Sequence, residues 1–132
     1  MLEFKNVNVN PKGRKTGDCV TRAIASALNI SWEEAIQEQV KVALKTKYSL
    51  ASKQTYEKIL TEWGFVKMKQ PRKVNNTKYY VKELDRVLTP KQMKSGVVVS
   101  VANHLTFVKD GYIIDTWNCG LKSVGNYYVR ED

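Results

Sequence analysis

The sequence is short of the residues that bind metals and cross-link chains. Its 132 residues include one histidine, His104, and two cysteines, Cys19 and Cys119. A four-ligand zinc site would need carboxylates to complete it, and no ligand spacing indicates such a site, so we expect no metal and no other cofactor. Two cysteines form no dense framework, and we expect no structural disulfide in a reducing compartment.

Long apolar runs are missing as well. No stretch of about 18 consecutive apolar residues occurs, so we expect no membrane-spanning helix and no membrane partner. Residues 1–6 lack the apolar core of a signal peptide, which favours a cytoplasmic protein. With 42% apolar residues and the length of one domain, residues 1–132 are expected to form a single unit with its own core.

Charge is abundant but unevenly placed. The chain carries 22 basic and 13 acidic residues, a net charge of +9. Residues 64–96 hold nine Lys and Arg against Glu83 and Asp85, a net charge of +7. Such a region attracts an anionic partner, either a nucleic acid or an acidic protein surface. No nucleic-acid-binding motif accompanies it, so a solvated basic face is the simpler interpretation.

Hydrophobic periodicity predicts helices in the first two thirds of the chain. After an irregular or weakly extended start over residues 1–15, apolar spacings of three and four predict helices over residues 18–29, 31–47 and 53–63. Asp18 is the predicted N-cap of the first helix, and Ser31 with Glu34 forms a predicted capping box for the second. A short strand at 65–69, a basic loop at 70–78, a helix at 80–88 and a helical turn at 89–93 complete this part.

The same spacing predicts which side chains of these helices face inward. The expected inward residues are Val20, Ala23, Ile24, Ala27 and Leu28 in the first helix, Ala35, Val40, Ala43 and Leu44 in the second, Tyr56, Ile59, Leu60 and Trp63 in the third, and Val81, Leu84 and Leu88 in the fourth.

The composition changes after Gly96. A β-branched apolar run at 96–102 predicts a central strand, and segments 104–108, 112–117 and 125–130 predict three more. Helices first and an antiparallel sheet last are typical of an α+β fold.

Cys19 is a candidate nucleophile. It lies in the first turn of the first predicted helix, just after a turn at Thr16 and Gly17. A helix N-terminus carries unpaired N–H groups and the positive end of the helix dipole, and both favour a thiolate over a thiol. Because the thiolate is the reactive form, this position favours nucleophilic chemistry. The alternative is an ordinary core cysteine.

The hairpin near the C-terminus allows a register to be predicted. If Asp110 and Gly111 form a two-residue type I′ turn, then Lys109 pairs with Tyr112. Counting back along the two strands, Asp115 lies opposite the residue at position 106. A three-residue loop would instead turn Asp115 to the other face of the sheet.

In that register His104 and Asp115 share a face as diagonal neighbours within side-chain reach. A carboxylate placed there holds an imidazole in one tautomer and stabilises its charged form. His104 is therefore the predicted base and Asp115 the predicted residue that orients it. Asn118, at the end of the strand, is the alternative partner for His104.

A cysteine after Asp18 at a helix start, followed by His104 on one strand and Asp115 on the next, resembles the papain-like cysteine peptidase superfamily. The closest likeness is to small bacterial and phage branches such as the bacteriocin-processing double-glycine peptidases. Residues 16–25, 102–105 and 111–117 also resemble a group of small phage-encoded proteins. The resemblance implies a papain-like fold with Cys19, His104 and Asp115 as its catalytic triad, and the host cytoplasm as the location if the protein is phage-encoded. Residues 31–96 match only in general layout.

One feature of that family is missing. Papain-like enzymes usually carry a glutamine several residues before the cysteine, which donates to the oxyanion, whereas no glutamine occurs in residues 1–36. The backbone N–H of Cys19 is one donor that remains, and Asn10 or Thr16 is a candidate for the second, with Asn118 as a supporting residue. Cys119, in the loop near the predicted site, is either a bystander or a redox partner of Cys19.

The leading hypothesis is a thiol hydrolase or acyltransferase that forms a thioester on Cys19 and resolves it with water or an amine. The expected substrate is a peptide or protein, acidic or extended, steered by the basic region.

A second hypothesis is a binding protein of the same fold without turnover, an inhibitor or accessory factor, which the missing glutamine favours. A third is a nucleic-acid-associated protein that uses residues 64–96. The sequence predicts no oligomeric state.

Overall fold

A six-stranded mixed sheet separates two apolar layers in the computed structural model, which describes residues 1–130. In chain order the elements are β1 (Glu3–Asn6), α1 (Cys19–Leu28), α2 (Trp32–Thr46), α3 (Lys53–Glu62), β2 (Val66–Met68), a 3₁₀ helix η1 (Val81–Arg86), α4 (Pro90–Ser95), β3 (Val97–Val101), β4 (His104–Lys109), β5 (Tyr112–Asp115) and β6 (Tyr127–Val129). Within this described part no helix is long and apolar enough to cross a membrane.

The strand order is β1-β5-β4-β3-β6-β2. The predicted α+β class is confirmed, but the sheet is not purely antiparallel, because β1 pairs in parallel with β5. Within the start that was predicted to be irregular or weakly extended, residues 3–6 are extended and form β1. This strand is short, and only Phe4 within it is even half-buried. Its sequence has no alternation of apolar and polar residues that would predict a strand. The strand forms because it pairs with β5.

The two faces of the sheet pack against different partners. Val98, Leu105 and Phe107 face α1, α2 and α3, while Val97 and Val99 face the layer that contains η1. Because β3 is covered on both faces, its residues form a continuous apolar run rather than an alternating one.

Helix α1 lies at the centre of the helical layer. The five inward positions predicted for it are all buried, and Ala23, Ala25 and Ala27 are at most 4% exposed. Small side chains on several faces allow α2 and strand β4 to approach α1 closely. This packing holds the N-terminus of α1, and with it Cys19, against the start of β4.

The inward face of α2 differs from the prediction. Val40 and Leu44 are 37% and 66% exposed, whereas Ala35, Gln39 and Val42 are buried. The polar Gln39 turns inward because its Oε1 accepts a 2.7 Å hydrogen bond from the Thr21 hydroxyl. The prediction of the inward face of α2 from hydrophobicity alone therefore gave the wrong orientation of this helix about its axis.

Two smaller predictions also need correction. Trp63, predicted to face inward, is 39% exposed. The helix predicted over residues 80–88 is a 3₁₀ helix, in which Val81 and Leu84 are buried as expected. A spacing of three residues places these two side chains on one face of a helix with three residues per turn.

Candidate active site

The β4–β5 hairpin has the predicted register. Asp110 and Gly111 both have positive φ, at 52° and 84°, as a type I′ turn requires. Lys109 pairs with Tyr112, and Phe107, two residues earlier in β4, pairs with Ile114. The two-residue turn is therefore confirmed, and it sets which side chains of the hairpin share a face.

His104 and Asp115 meet across this hairpin. Nε2 of His104 lies 2.6 Å from Oδ2 of Asp115, and the two side chains are 11% and 5% exposed. The predicted contact between them is confirmed. The alternative partner Asn118 is used elsewhere, since its Oδ1 accepts the backbone N–H of Gly120 at 3.0 Å.

The carboxylate of Asp115 is held from several sides. The Thr106 hydroxyl donates to its Oδ2 at 2.6 Å, and the N–H of Thr116 donates to its Oδ1 at 2.7 Å. Burial by itself raises the pKa of Asp115, but the hydrogen bonds from His104 and Thr106 outweigh it, so the pKa is lowered. The carboxylate is thus ionised and fixed opposite His104. Thr106 was not predicted as a site residue, although its position opposite Asp115 in the register was the available signal.

Cys19 is half-buried at the first position of α1. Burial raises the pKa of its thiol, but hydrogen bonds with the His104 ring and the Leu105 backbone, and the charges of His104 and Arg22, bring the pKa below its ordinary value. Because Nε2 of His104 already contacts Asp115, Nδ1 is the ring nitrogen left for the thiol. The structure therefore brings Cys19, His104 and Asp115 into one interacting series, in which His104 is hydrogen-bonded to Asp115 and lowers the pKa of Cys19.

The same series sets the charge of His104. Burial lowers the pKa of its imidazole, while Asp115 and Cys19 raise it, and the net result is a pKa of about 9. A raised imidazole pKa beside a lowered thiol pKa favours a thiolate–imidazolium pair at neutral pH. The Trp117 ring packs edge-on against the imidazole, with 4.9 Å between centroids and 83° between planes, and so limits its rotation.

Asp18 occupies the N-cap position of α1 but does not act as predicted. Its side chain makes no capping hydrogen bond. Oδ2 instead accepts from Nδ2 of Asn10 at 3.2 Å and from Nε1 of Trp32 at 3.0 Å. The carboxylate is buried, and these donors draw it away from the helix. The N–H groups in the first turn of α1 are consequently not occupied by the Asp18 side chain.

Arg22 links the helix to the hairpin, and it was not predicted as a site residue. Its Nε lies 3.3 Å from Oδ1 of Asp18, a close ion pair without hydrogen-bond geometry. Its Nη1 donates to Oγ1 of Thr116 at 3.0 Å. Since Thr116 follows Asp115 directly, Arg22 connects the element that carries Cys19 to the strand that carries Asp115.

The predicted oxyanion donors have other contacts. Asn10 is buried, its amide donates to Asp18, and its Oδ1 accepts the N–H of Lys12 at 3.0 Å. Thr16 is exposed, and its carbonyl accepts the N–H of Asp18 at 2.8 Å. Asn10 therefore supports the Asp18 carboxylate in this structure. A role for either residue, or for Asn118, at an oxyanion stays a prediction.

A groove of about 550 Å³ opens beside the thiol and the imidazole. Its walls come from the start of α1, from residues 51–56 and from the β3–β4 turn. The lining residues are Cys19, Val20, Ala51, Lys53, Tyr56, Ser100, Val101, Asn103, His104 and Leu105. A ligand in this groove would therefore reach both reactive side chains.

Cys119 lies behind the site rather than in the groove. It is 1% exposed, and burial raises the pKa of its thiol to about 11, so it is a neutral thiol. Both cysteines are free in this structure.

Donor atoms of His104, Asp115 and Cys119 lie within 4.8 Å of one another, which is the donor set of a mixed metal site. Donors around a tetrahedral zinc ion are roughly 3.3 Å apart, given metal–ligand bonds of about 2.0 Å. The 2.6 Å contact between His104 and Asp115 is shorter than that spacing and corresponds to a direct hydrogen bond. As arranged, these side chains form a hydrogen-bonded network.

The basic region is in part internally compensated. The buried Glu83 carboxylate accepts Lys73 at 2.9 Å and Arg86 at 3.4 Å, and Glu57 accepts Lys67 at 2.9 Å. Three of the nine basic residues in 64–96 are therefore tied to acids of the chain itself. A partner-binding role for this region stays a prediction.

No protein-family model, curated protein or solved structure matches this chain. The papain-like resemblance therefore stays a prediction, and the functional argument depends on the geometry of the site.

Proposed function

We propose that this protein is a thiol hydrolase or acyltransferase of the papain-like type, with Cys19 as nucleophile, His104 as general base and acid, and Asp115 as the residue that positions His104. The observation that carries the proposal is the 2.6 Å contact between His104 Nε2 and Asp115 Oδ2, with Cys19 and His104 lining the same groove and His104 lowering the pKa of the Cys19 thiol. A papain-like fold and a cytoplasmic location are parts of the same proposal.

In the first half of the reaction, the Cys19 thiolate attacks the carbonyl carbon of the substrate and the carbonyl π electrons move to the oxygen. The tetrahedral intermediate collapses, the bond to the leaving group breaks, and the imidazolium of His104 gives its proton to that group. The product on the enzyme is a thioester. Asp115 stays ionised and stabilises the imidazolium before the proton is transferred.

In the second half, water or an amine attacks the thioester while His104 accepts a proton from it. The carbon–sulfur bond breaks and Cys19 leaves as a thiolate, which restores the ion pair. Water gives hydrolysis and an amine gives acyl transfer. Both outcomes use the same side chains, so the site supports the reaction class rather than one of the two.

The oxyanion is proposed to lie at the N-terminus of α1. The backbone N–H of Cys19 is one donor, and the positive end of the helix dipole adds to it. Because the Asp18 side chain caps none of the first-turn N–H groups, these groups are available to a ligand. This arrangement would replace the side-chain donor that the missing glutamine supplies in papain-like enzymes.

The alternative is a binding protein that keeps the groove without turnover. The observation that favours it is the engagement of the Asn10 amide with Asp18, which leaves the site without a free side-chain amide from that residue. In that case the groove would hold a peptide beside an intact but unproductive ion pair.

Thiol labelling tests the proposal. Cys19 should react with iodoacetamide at pH 6–7 much faster than Cys119, and His104→Ala should slow the reaction of Cys19. Peptide mapping by mass spectrometry separates the two cysteines, and Cys119→Ser provides a protein with Cys19 as its single thiol. Equal and slow labelling of both cysteines would contradict the proposal.

A further inference from the structure

The groove beside Cys19 has a net positive charge. Of its ten lining residues, Lys53 and His104 carry basic groups and none carries a carboxylate. The charge of a Cys19 thiolate is balanced by His104, which leaves Lys53 as the uncompensated charge of the groove. The wall also includes the N-terminal residues of α1, where the helix dipole is positive. Clefts lined by charge of one sign concentrate ligands of the opposite sign. The groove is therefore suited to an anionic group.

The ammonium group of Lys53 is hydrogen-bonded to a neutral side chain. Its Nζ donates to Oδ1 of Asn126 at 3.2 Å. The acid one turn further along α3, Glu57, makes its direct contacts with other groups, since its Oε2 accepts Lys67 at 2.9 Å and the Tyr128 hydroxyl at 2.6 Å. The charge of Lys53 acts on Glu57 only from a distance and helps to lower the pKa of that carboxyl. An incoming carboxylate could therefore replace the Asn126 contact of Lys53 without breaking an ion pair.

The positive groups also lie on different sides of the groove. Lys53 is the first residue of α3, whereas His104 begins β4 and Cys19 begins α1. A carbonyl at Cys19 and a carboxylate at Lys53 would thus belong to neighbouring parts of one extended ligand. This separation fits a peptide better than a single small anion.

We propose that this groove binds a peptide carboxylate next to the reactive carbonyl, with Lys53 as the residue that recognises it. This inference depends on the thiol chemistry proposed for Cys19. The carboxylate is either an acidic side chain or a free chain terminus, which present the same chemistry to Lys53. The proposed function would then act on acidic peptides or on chain ends rather than on peptides in general.

Alkylation of Cys19 by iodoacetyl peptides tests the inference without a known substrate, because Sγ displaces iodide in a single step. The side-chain arm compares iodoacetyl-Gly-Glu-amide with iodoacetyl-Gly-Gln-amide. The terminal arm compares iodoacetyl-glycine with iodoacetyl-glycinamide. The Cys119→Ser background restricts the reaction to Cys19.

In at least one arm the acidic reagent should react about threefold to fivefold faster than its neutral twin, as one partly exposed ion pair allows. Lys53→Gln should remove this preference, and Lys53→Glu should reverse it. Lys91→Gln is the matched control, since Lys91 is exposed on α4 and does not line the groove. Lys53 is itself exposed, so its variants should fold, which circular dichroism can check.

A ratio of acidic to neutral rates that does not change in the Lys53 variants, in both arms, would overturn the inference. The ratio can be measured even when the reaction is slow. Failure of this inference is therefore distinct from failure of the proposed function, which would appear as slow labelling of Cys19 by neutral iodoacetamide.

Discussion

Replacing Asp115 with asparagine should uncouple the base from the nucleophile. The pKa of His104 is about 9 against an ordinary value of 6.5. One pKa unit corresponds to about 1.4 kcal/mol, so the imidazolium is favoured by about 3–4 kcal/mol net, after the opposing effect of burial has been overcome by Asp115 and Cys19. Asparagine keeps the shape and can still accept from Thr106, but it removes the charge. We assign the carboxylate the larger share, which is about 2 kcal/mol, or one to two pKa units.

The sign of the effect on Cys19 follows from the ion pair. A less stable imidazolium stabilises the thiolate less, so the pH midpoint for alkylation of Cys19 should rise by one to two units. At any pH below both midpoints the rate is proportional to the thiolate fraction, and there it should fall by about 10- to 100-fold.

The assay is the rate of iodoacetamide labelling of Cys19 between pH 5 and pH 10. Asp110→Asn is the matched control, because it makes the same chemical change in the exposed turn of the same hairpin, where asparagine is well tolerated. An alkylation midpoint for Asp115→Asn within about 0.3 pH units of the unmodified protein, over the whole pH profile, would contradict this role of Asp115.

Three further substitutions test other parts of the account. Arg22→Gln removes a positive charge near Cys19 and the tie to the end of β5, so the alkylation midpoint should rise, by less than for Asp115→Asn; an unchanged midpoint would contradict this role. Gln39→Leu leaves buried hydrogen-bond partners unpaired and should cost about 1–3 kcal/mol in urea unfolding, whereas Gln37→Leu on the exposed side of α2 should cost little. Gly96→Ala should destabilise the fold by about 1–3 kcal/mol by the same assay, because its φ is +96° and a Cβ would lie 2.5 Å from the Phe107 ring; equal stability would show that the ring can move aside.

The parts of the fold that local chemistry specifies could be predicted. The Asp110 and Gly111 turn sets the register of the hairpin, and from that register the meeting of His104 and Asp115 follows. The buried face of α1 followed in the same way from its spacing of small and apolar residues.

The parts that depend on distant contacts could not be predicted. β1 has no strand pattern of its own and exists through pairing with β5, more than one hundred residues later. Gln39 is polar, and its hydrogen bonds to Thr21 and to the Leu50 carbonyl explain why it lies in the core. Asp18 is a residue type that is preferred at helix N-caps. Its carboxylate instead accepts hydrogen bonds from Asn10 and from Trp32 at the start of α2.

The site shows the same division. Cys19, His104 and Asp115 could be found by their residue types and order, since each has a distinctive chemistry. Thr106 could have been found from its position opposite Asp115 in the predicted register, although a strand threonine is common. Arg22 could not, because a helix arginine is common and only the structure shows what it contacts. The groove and the position of Lys53 on its wall likewise depend on how α3 packs beside β3.

The proposed chemistry requires His104 to be an imidazolium paired with the Cys19 thiolate at neutral pH. Because the chain has a single histidine, an NMR titration of its ring resonances reports this residue without ambiguity. The account predicts a pKa of about 9 for His104, falling in the Asp115→Asn variant. A histidine that titrates near its ordinary value of 6.5, with no change on removing the Asp115 charge, would contradict the account.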